Sequence, residues 1–235
     1  MKTSLFLLGV GLVVHGSSLA QTPDLIRVKG EAGGVKTIPV LSRYRYSQFI
    51  DGRVLYLNGS TASAKLNYNV AVGEMQFIDP HGDTLALADE SLIRVVGVGP
   101  DVFHYDQTKG YLEIIADYNG VKLAVKQQLK PVKRERMGGY EQSTGSAAIT
   151  TYQFYSSGNT SVNNLDAKGD LLVKKDKTYF IVDRNNRTYT ATKASILSIF
   201  AKHREQVSAY LTSEAVDFKQ EGDLKKLLKF LGELV

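Results

Sequence analysis

From about residue 24 to residue 190, apolar residues come in short runs that alternate with polar ones and are broken by Gly, Pro, Asn and Asp. This is the pattern of antiparallel strands joined by turns. The clearest segment runs from Tyr111 to Lys130 around Asn119-Gly120, a strong two-residue hairpin signal because such a turn needs positive φ at both central positions. That turn sets Tyr118 opposite Val121, Ala116 opposite Leu123 and Ile114 opposite Val125, all on one face. On the other face Asp117 meets Lys122 and Glu113 meets Lys126. Opposed charges of this kind contribute a few tenths of a kcal/mol up to about 1 each, and a slip of one residue would scramble both faces.

A second hairpin is predicted from Met75 to Asp79, through Pro80-His81-Gly82, and back along Thr84 to Ala88. Its buried face carries Met75, Phe77, Leu85 and Leu87, and Leu66, Tyr68 and Val70 form the strand before it. A third joins Leu171-Leu172-Val173 to Tyr179-Phe180-Ile181-Val182 by a turn through Lys175-Asp176, and a fourth turn falls at Asn185-Asn186. Connections this short favour a meander over parallel crossovers. Between Pro131 and Ser146 the alternation lapses, which predicts a long loop, and a further polar loop is expected from Ser156 to Asn164.

After Thr192 the apolar period changes from two to about 3.6. Ala194, Ile196, Leu197, Ile199 and Phe200 make one helical stripe, and Val207, Tyr210 and Leu211 a second. Leu224, Leu227, Leu228 and Leu231 make a third, with Asp223 in its first turn and Lys225, Lys226 and Lys229 on the polar side. Isolated helices shorter than about 12–15 residues are marginal in water, so these must dock. The predicted fold is mainly β: an antiparallel meander, an open sandwich or barrel-like sheet, with two or three short C-terminal helices. With no glycine-rich strand-to-helix loop in the sequence, dinucleotide-binding and P-loop readings fail.

The first twenty residues have a different grammar. Lys2 is their only charge, Leu5 to Val14 is apolar or glycine throughout, and Ser18 and Ala20 place small residues at −3 and −1 of a cleavage site. This is the pattern of a secretory signal peptide, and the apolar run falls short of the roughly twenty residues that span a bilayer. The expected organisation is a signal peptide over 1–20 cut between Ala20 and Gln21, an antiparallel β domain over 21–192, and a helical segment over 193–235 packed on it.

Composition sharpens that address. The 235 residues contain no cysteine, so neither a lipoprotein anchor nor disulfides are available, and thiolate catalysis and cysteine metal sites are ruled out. Export without disulfides favours a bacterial envelope over an animal extracellular space. The net charge of +5 falls to +4 with the loss of Lys2, too small an excess to mark a nucleic-acid binder.

Candidate chemistry is sparse. Asp79, His81 and Asp83 bring three metal-ligand types into five residues, and Asp101, His104 and Asp106 form a second group. Neither has zinc or calcium-loop spacing, and Asp, Pro and Gly are what a hairpin tip wants in any case. The predicted mature chain has three histidines, His81, His104 and His203, and no Gly-x-Ser-x-Gly elbow. From Lys122 to Arg136 the basic residues Lys122, Lys126, Lys130, Lys133, Arg134 and Arg136 face one acid, Glu135. They are either a solvated strand face or a surface for an anionic envelope component, which Arg43, Arg45 and Arg53 could extend. Tyr152 and Phe154, beside the second loop, are candidate recognition aromatics. Asn58, Asn159 and Asn186 lie in Asn-x-Ser/Thr sequences and read as turn residues in a bacterial protein.

The runs LNYNVAVGEMQFIDPHGDTLAL, GYLEIIADYNGVKLAVKQQLKP and TYFIVDRNNRTYTATKASILSIFAKHREQVSAYLTSEAVDFKQEGDLKKLLKFL resemble exported β-rich proteins recurrent in Bacteroidetes. The likeness is one of layout and covers most of the chain after Ala20. It implies a compartment and an architecture, carries over no catalytic residue, and makes Asp83-Thr84-Leu85 a conceivable O-glycosylation site. The expected function is that of a soluble, non-enzymatic periplasmic or secreted protein. It would use no cofactor, nucleic acid or lipid anchor, and would bind another envelope component (protein, glycan or anionic surface) through Lys130, Lys133, Arg134, Arg136, Tyr152 and Phe154. The alternative is an envelope hydrolase or metal-dependent enzyme using His104 or the Asp79/His81/Asp83 tip.

Overall fold

The computed structural model describes residues 25–28, 37–137, 143–148 and 170–234, and for 133–137 and 143–148 the backbone alone. As the alternation demands, β structure dominates. The first meander is β2 (Ile50–Tyr56), β3 (Thr61–Asn69), β4 (Glu74–Ile78) and β5 (Thr84–Ala86). The second is β6 (Ile93–Val98), β7 (Asp101–Asp106), β8 (Gly110–Tyr118) and β9 (Val121–Met137), and β2 pairs with β6 to join the two. Beyond β9 lie β11 (Asp170–Val182) and β1 (Ile26–Val28), while β10 (Ser143–Ala148) pairs with β9 and β12 (Thr188–Thr190) with β11. All these pairings are antiparallel, and the twelve strands form one open sheet with β1 and β5 at its ends.

The sheet curls over itself without closing. Val28, Leu171 and Val173 from one end share a buried cluster with Leu66, Tyr68 and Met75 from the other, and the Leu129 amide donates to the Val70 carbonyl at 3.1 Å. Such curling is what accumulated strand twist produces in a long sheet.

A second core lies farther along β8, β9 and β11, where Val121, Leu123, Val125, Tyr179 and Ile181 meet the C-terminal helices. These are α2 (Lys193–Ile199), α3 (Arg204–Ser213) and α4 (Glu221–Glu233), and a short helix over Val40–Arg43, α1, precedes the sheet proper. The Thr192 side chain accepts from the Ser195 amide and starts α2, as N-cap residues do. Leu224, Leu227, Leu228 and Leu231 of α4 are fully buried, each worth about 1.5–3 kcal/mol over exposure. The tail is therefore docked as its three stripes predict. The docking is intimate: Gly232 sits against the Tyr118 backbone, and the Asn119 side chain donates to the Gly232 carbonyl at 2.8 Å.

Three expectations change. The Asn119-Gly120 hairpin keeps Tyr118 opposite Val121, Asp117 opposite Lys122 and Ala116 opposite Leu123, but a bulge at Ile115 then sets Ile114 against Ala124 and Glu113 against Val125. Glu113 therefore leaves Lys126 and turns onto the face of the core. The predicted turn at Lys175-Asp176 is not a turn. Residues 170–182 form one strand, with Lys175 opposite Leu129 and Asp176 opposite Gln128. The predicted loop from Pro131 instead continues β9 to Met137, and β10 pairs back on it. Leu171 and Val173 reach the first core while Tyr179 and Ile181 reach the second. Successive side chains alternate faces, so one face of β11 serves both cores. Its exposed middle, Lys175 and Lys177, bridges the gap between them and mimics a turn in sequence.

Candidate functional site

The opposite face of the same strands holds a cleft. Leu112, Ala124, Phe180 and Val182 are buried there as a small third cluster, and Leu112 and Val182 line the cleft above it. The cleft encloses about 500 Å³, within the range of roughly 300–1,000 Å³ typical of small-molecule sites. Arg94 of β6, His104 and Asp106 of β7, Lys122 of β9 and Thr188 of β12 also line it, with Leu57 at its edge. Register explains the convergence: His104 lies opposite Leu112, and Lys122 lies opposite Val182.

The charges in the cleft are unevenly satisfied. The Asp106 Oδ1 accepts from the Thr108 hydroxyl at 2.8 Å and from the amides of Thr108 and Lys109 at 2.9 and 3.0 Å. Burial raises this carboxyl, but those bonds, with one from Thr188, more than reverse it, and it is held below the ordinary carboxylate value. His104 is held below its ordinary value first by burial and then by the nearby Lys122 charge. The expected Asp117–Lys122 register exists, yet the Asp117 carboxylate accepts from the Gly120 amide at 3.0 Å. Among the described residues, none forms a hydrogen bond or ion pair with Arg94 or Lys122. A half-buried imidazole and two cations with no partner among the described groups thus line one cleft, on three strands (β6, β7 and β9) of the run β6–β7–β8–β9.

The other sequence candidates do not converge on it. Asp79 Oδ1 accepts from the amides of His81 and Asp83 at 2.9 and 2.8 Å, closing the hairpin tip, while the His81 and Asp83 side chains are exposed. Among the described residues there is no group of three or more His, Cys, Asp or Glu side chains placed to hold a metal ion. Asp101 points to the strand face opposite that of His104 and accepts from the Tyr46 hydroxyl at 2.7 Å. The basic stripe divides too. Lys126 donates to the Lys109 carbonyl at 2.6 Å and is lowered first by burial, and Lys130 pairs with Asp176. The side chains of Lys133, Arg134 and Arg136, and all of Tyr152, Phe154, Ala20 and Gln21, lie outside what the structure describes.

Arg45 is locked rather than free. Its Nε and Nη2 donate to the two Glu113 oxygens, both at 2.9 Å, and Gln127 donates to Glu113 at 3.0 Å. Asn58 accepts from the Ser60 amide and hydroxyl, the turn role expected of it. Arg94 is not among the candidates named from the sequence, although a lone cation within Leu92-Ile93-Arg94-Val95-Val96 is a visible signal there. No described helix is long and apolar enough to cross a membrane. Compared with known proteins, the chain matches no family model, no curated protein and no solved structure.

Proposed function

We propose that the protein is a non-enzymatic binding protein, exported to a bacterial periplasm or beyond, which holds another envelope component through the cleft around His104 and Lys122. The observation that carries this is the pair of cations, Arg94 and Lys122, on a rigid sheet with no described group neutralising them. Binding groups tend to be displayed in this way by rigid scaffolds. The signal-peptide pattern and the layout shared with exported Bacteroidetes proteins support the address. The enzymatic alternative finds less support: no hydrogen bond joins His104 to Asp106 or to another described residue, so its imidazole lacks the orienting partner that a general base uses.

Photocrosslinkers at Gln107 and Ser91, both beside the cleft and exposed, test the reading against one at Glu205 on α3. Capture of one envelope component from the two cleft positions, lost on combining Arg94→Ala with Lys122→Ala, is the expected result. Equal capture at Glu205, or capture indifferent to the double substitution, refutes it.

A further inference from the structure

We propose that the ligand is an anionic amphiphile: a phosphate head held by Arg94, Lys122 and His104, with an apolar chain laid over Leu57 and Leu92. This rests on the reading of the cleft as a binding site and names the chemistry that would fill it.

The head follows from the donors. Guanidinium, ammonium and imidazole nitrogens come from three strands, β6, β9 and β7, and all line the same cleft. Three separate donors match the three terminal oxygens of a phosphate monoester better than the two oxygens of a carboxylate. The ionised Asp106 carboxylate in the same cleft works against an anion, but the Lys109 ammonium 3.8 Å from it offsets part of its charge, and Arg94 and Lys122 outnumber it. An anion between His104 and Lys122 would also offset the Lys122 charge, which adds to burial in disfavouring a protonated imidazole.

The tail follows from the rim. Leu57 is 62% exposed and Leu92 54%, and the Leu57 amide donates to the Leu92 carbonyl at 2.8 Å, so the two stand side by side. Leu57 itself lines the cleft, as do Ser91 and Ile93 on either side of Leu92. Single exposed leucines are ordinary. A leucine pair on the lip of a cationic cleft is the complement of a molecule with a charged head and an apolar chain. Covering such a chain is worth about 0.8 kcal/mol per buried methylene, so a long tail should dominate affinity while the head sets selectivity.

The test is titration of the purified protein with dodecyl phosphate, inorganic phosphate, dodecanoate and dodecyl maltoside, each below its micelle-forming concentration. Dodecyl phosphate should bind at least about tenfold more tightly than any of the other three, the loss expected for removing one charged hydrogen bond or a few methylenes. Lys122→Ala and Arg94→Ala should each weaken dodecyl phosphate about tenfold with the circular dichroism unchanged. Leu57→Ser should weaken dodecyl phosphate but leave inorganic phosphate alone. Bound dodecyl phosphate should move the His104 imidazole titration upward. Equal binding of inorganic phosphate removes the apolar rim from the proposal, equal binding of dodecyl maltoside removes the anion, and equal binding of dodecanoate removes the phosphate head. If no amphiphile binds while the cleft crosslinkers still capture an envelope component, this inference falls and the binding function stands; if both fail, both fall.

Discussion

The Arg45–Glu113 pair offers a sharp energetic test because its two members are unequally buried. The Glu113 side chain is 7% exposed and that of Arg45 31%. Among the described residues three hydrogen bonds reach the Glu113 carboxylate, two from Arg45 and one from Gln127. Arg45→Ala therefore leaves a nearly buried carboxylate with one donor. Stranding one member of a buried pair costs about 3–5 kcal/mol, and the water that already reaches Arg45 places the expected loss near about 3. In Glu113→Gln the arginine keeps that water and has Asp101 at 3.8 Å, so a loss of about 1–2 kcal/mol is expected. Arg45→Met combined with Glu113→Leu should return to within about 1 kcal/mol of the parent, because a packed apolar pair removes both desolvation penalties. Urea unfolding followed by far-ultraviolet circular dichroism and tyrosine fluorescence measures all four proteins. Losses of equal size in the two single variants, or less than about 1 kcal/mol for Arg45→Ala, would refute the argument from burial.

Two glycines of α4 should respond with opposite signs. A Cβ at Gly232 would lie 2.9 Å from the Tyr118 Cβ and 3.0 Å from its carbonyl oxygen, whereas one at Gly222 meets nothing within 4 Å. Gly232→Ala should lower stability by about 1–3 kcal/mol and Gly222→Ala raise it by about 0.4–1, measured as shifts of the urea midpoint. For His104, burial and Lys122 place the folded value below the ordinary 6.5, so the unfolded chain binds the proton more readily. Its contribution to stability is full above that unfolded value and is lost as pH falls through the folded one. His104→Gln should therefore flatten stability against pH just below pH 6.5, and an unchanged slope would show that the imidazole is not held neutral. Mass spectrometry of protein recovered from an envelope fraction should give a chain beginning at Gln21; an intact Met1 there would end the signal-peptide reading.

Much of this architecture is legible in the chain because alternation, turn residues and the switch to helical period report burial locally. Leu66, Tyr68, Met75 and the four leucines of α4 are buried as their patterns require. What escaped is long-range. The bulge at Ile115 exchanges the faces of Glu113 and Ile114, and its partner Arg45 lies far off in sequence, so no local pattern announces it. Lys175 and Asp176 look like a turn because a strand shared by two cores is polar where neither core reaches. The site was half legible for the same reason. His104 and Lys122 stood out as residue types, but their union with Arg94 depends on the order β6–β7–β8–β9.

The shared face of β9 and β11 also has a history, set by the order in which the chain is made. Val121, Leu123, Tyr179 and Ile181 are covered by helices from the last forty or so residues, which leave the ribosome after every strand. Until that tail arrives, the sheet presents a contiguous apolar strip of the kind that drives association of unfinished chains. Premature termination at the start of α2 would therefore do more than shorten the protein: it would release the sheet with its sticky side bare.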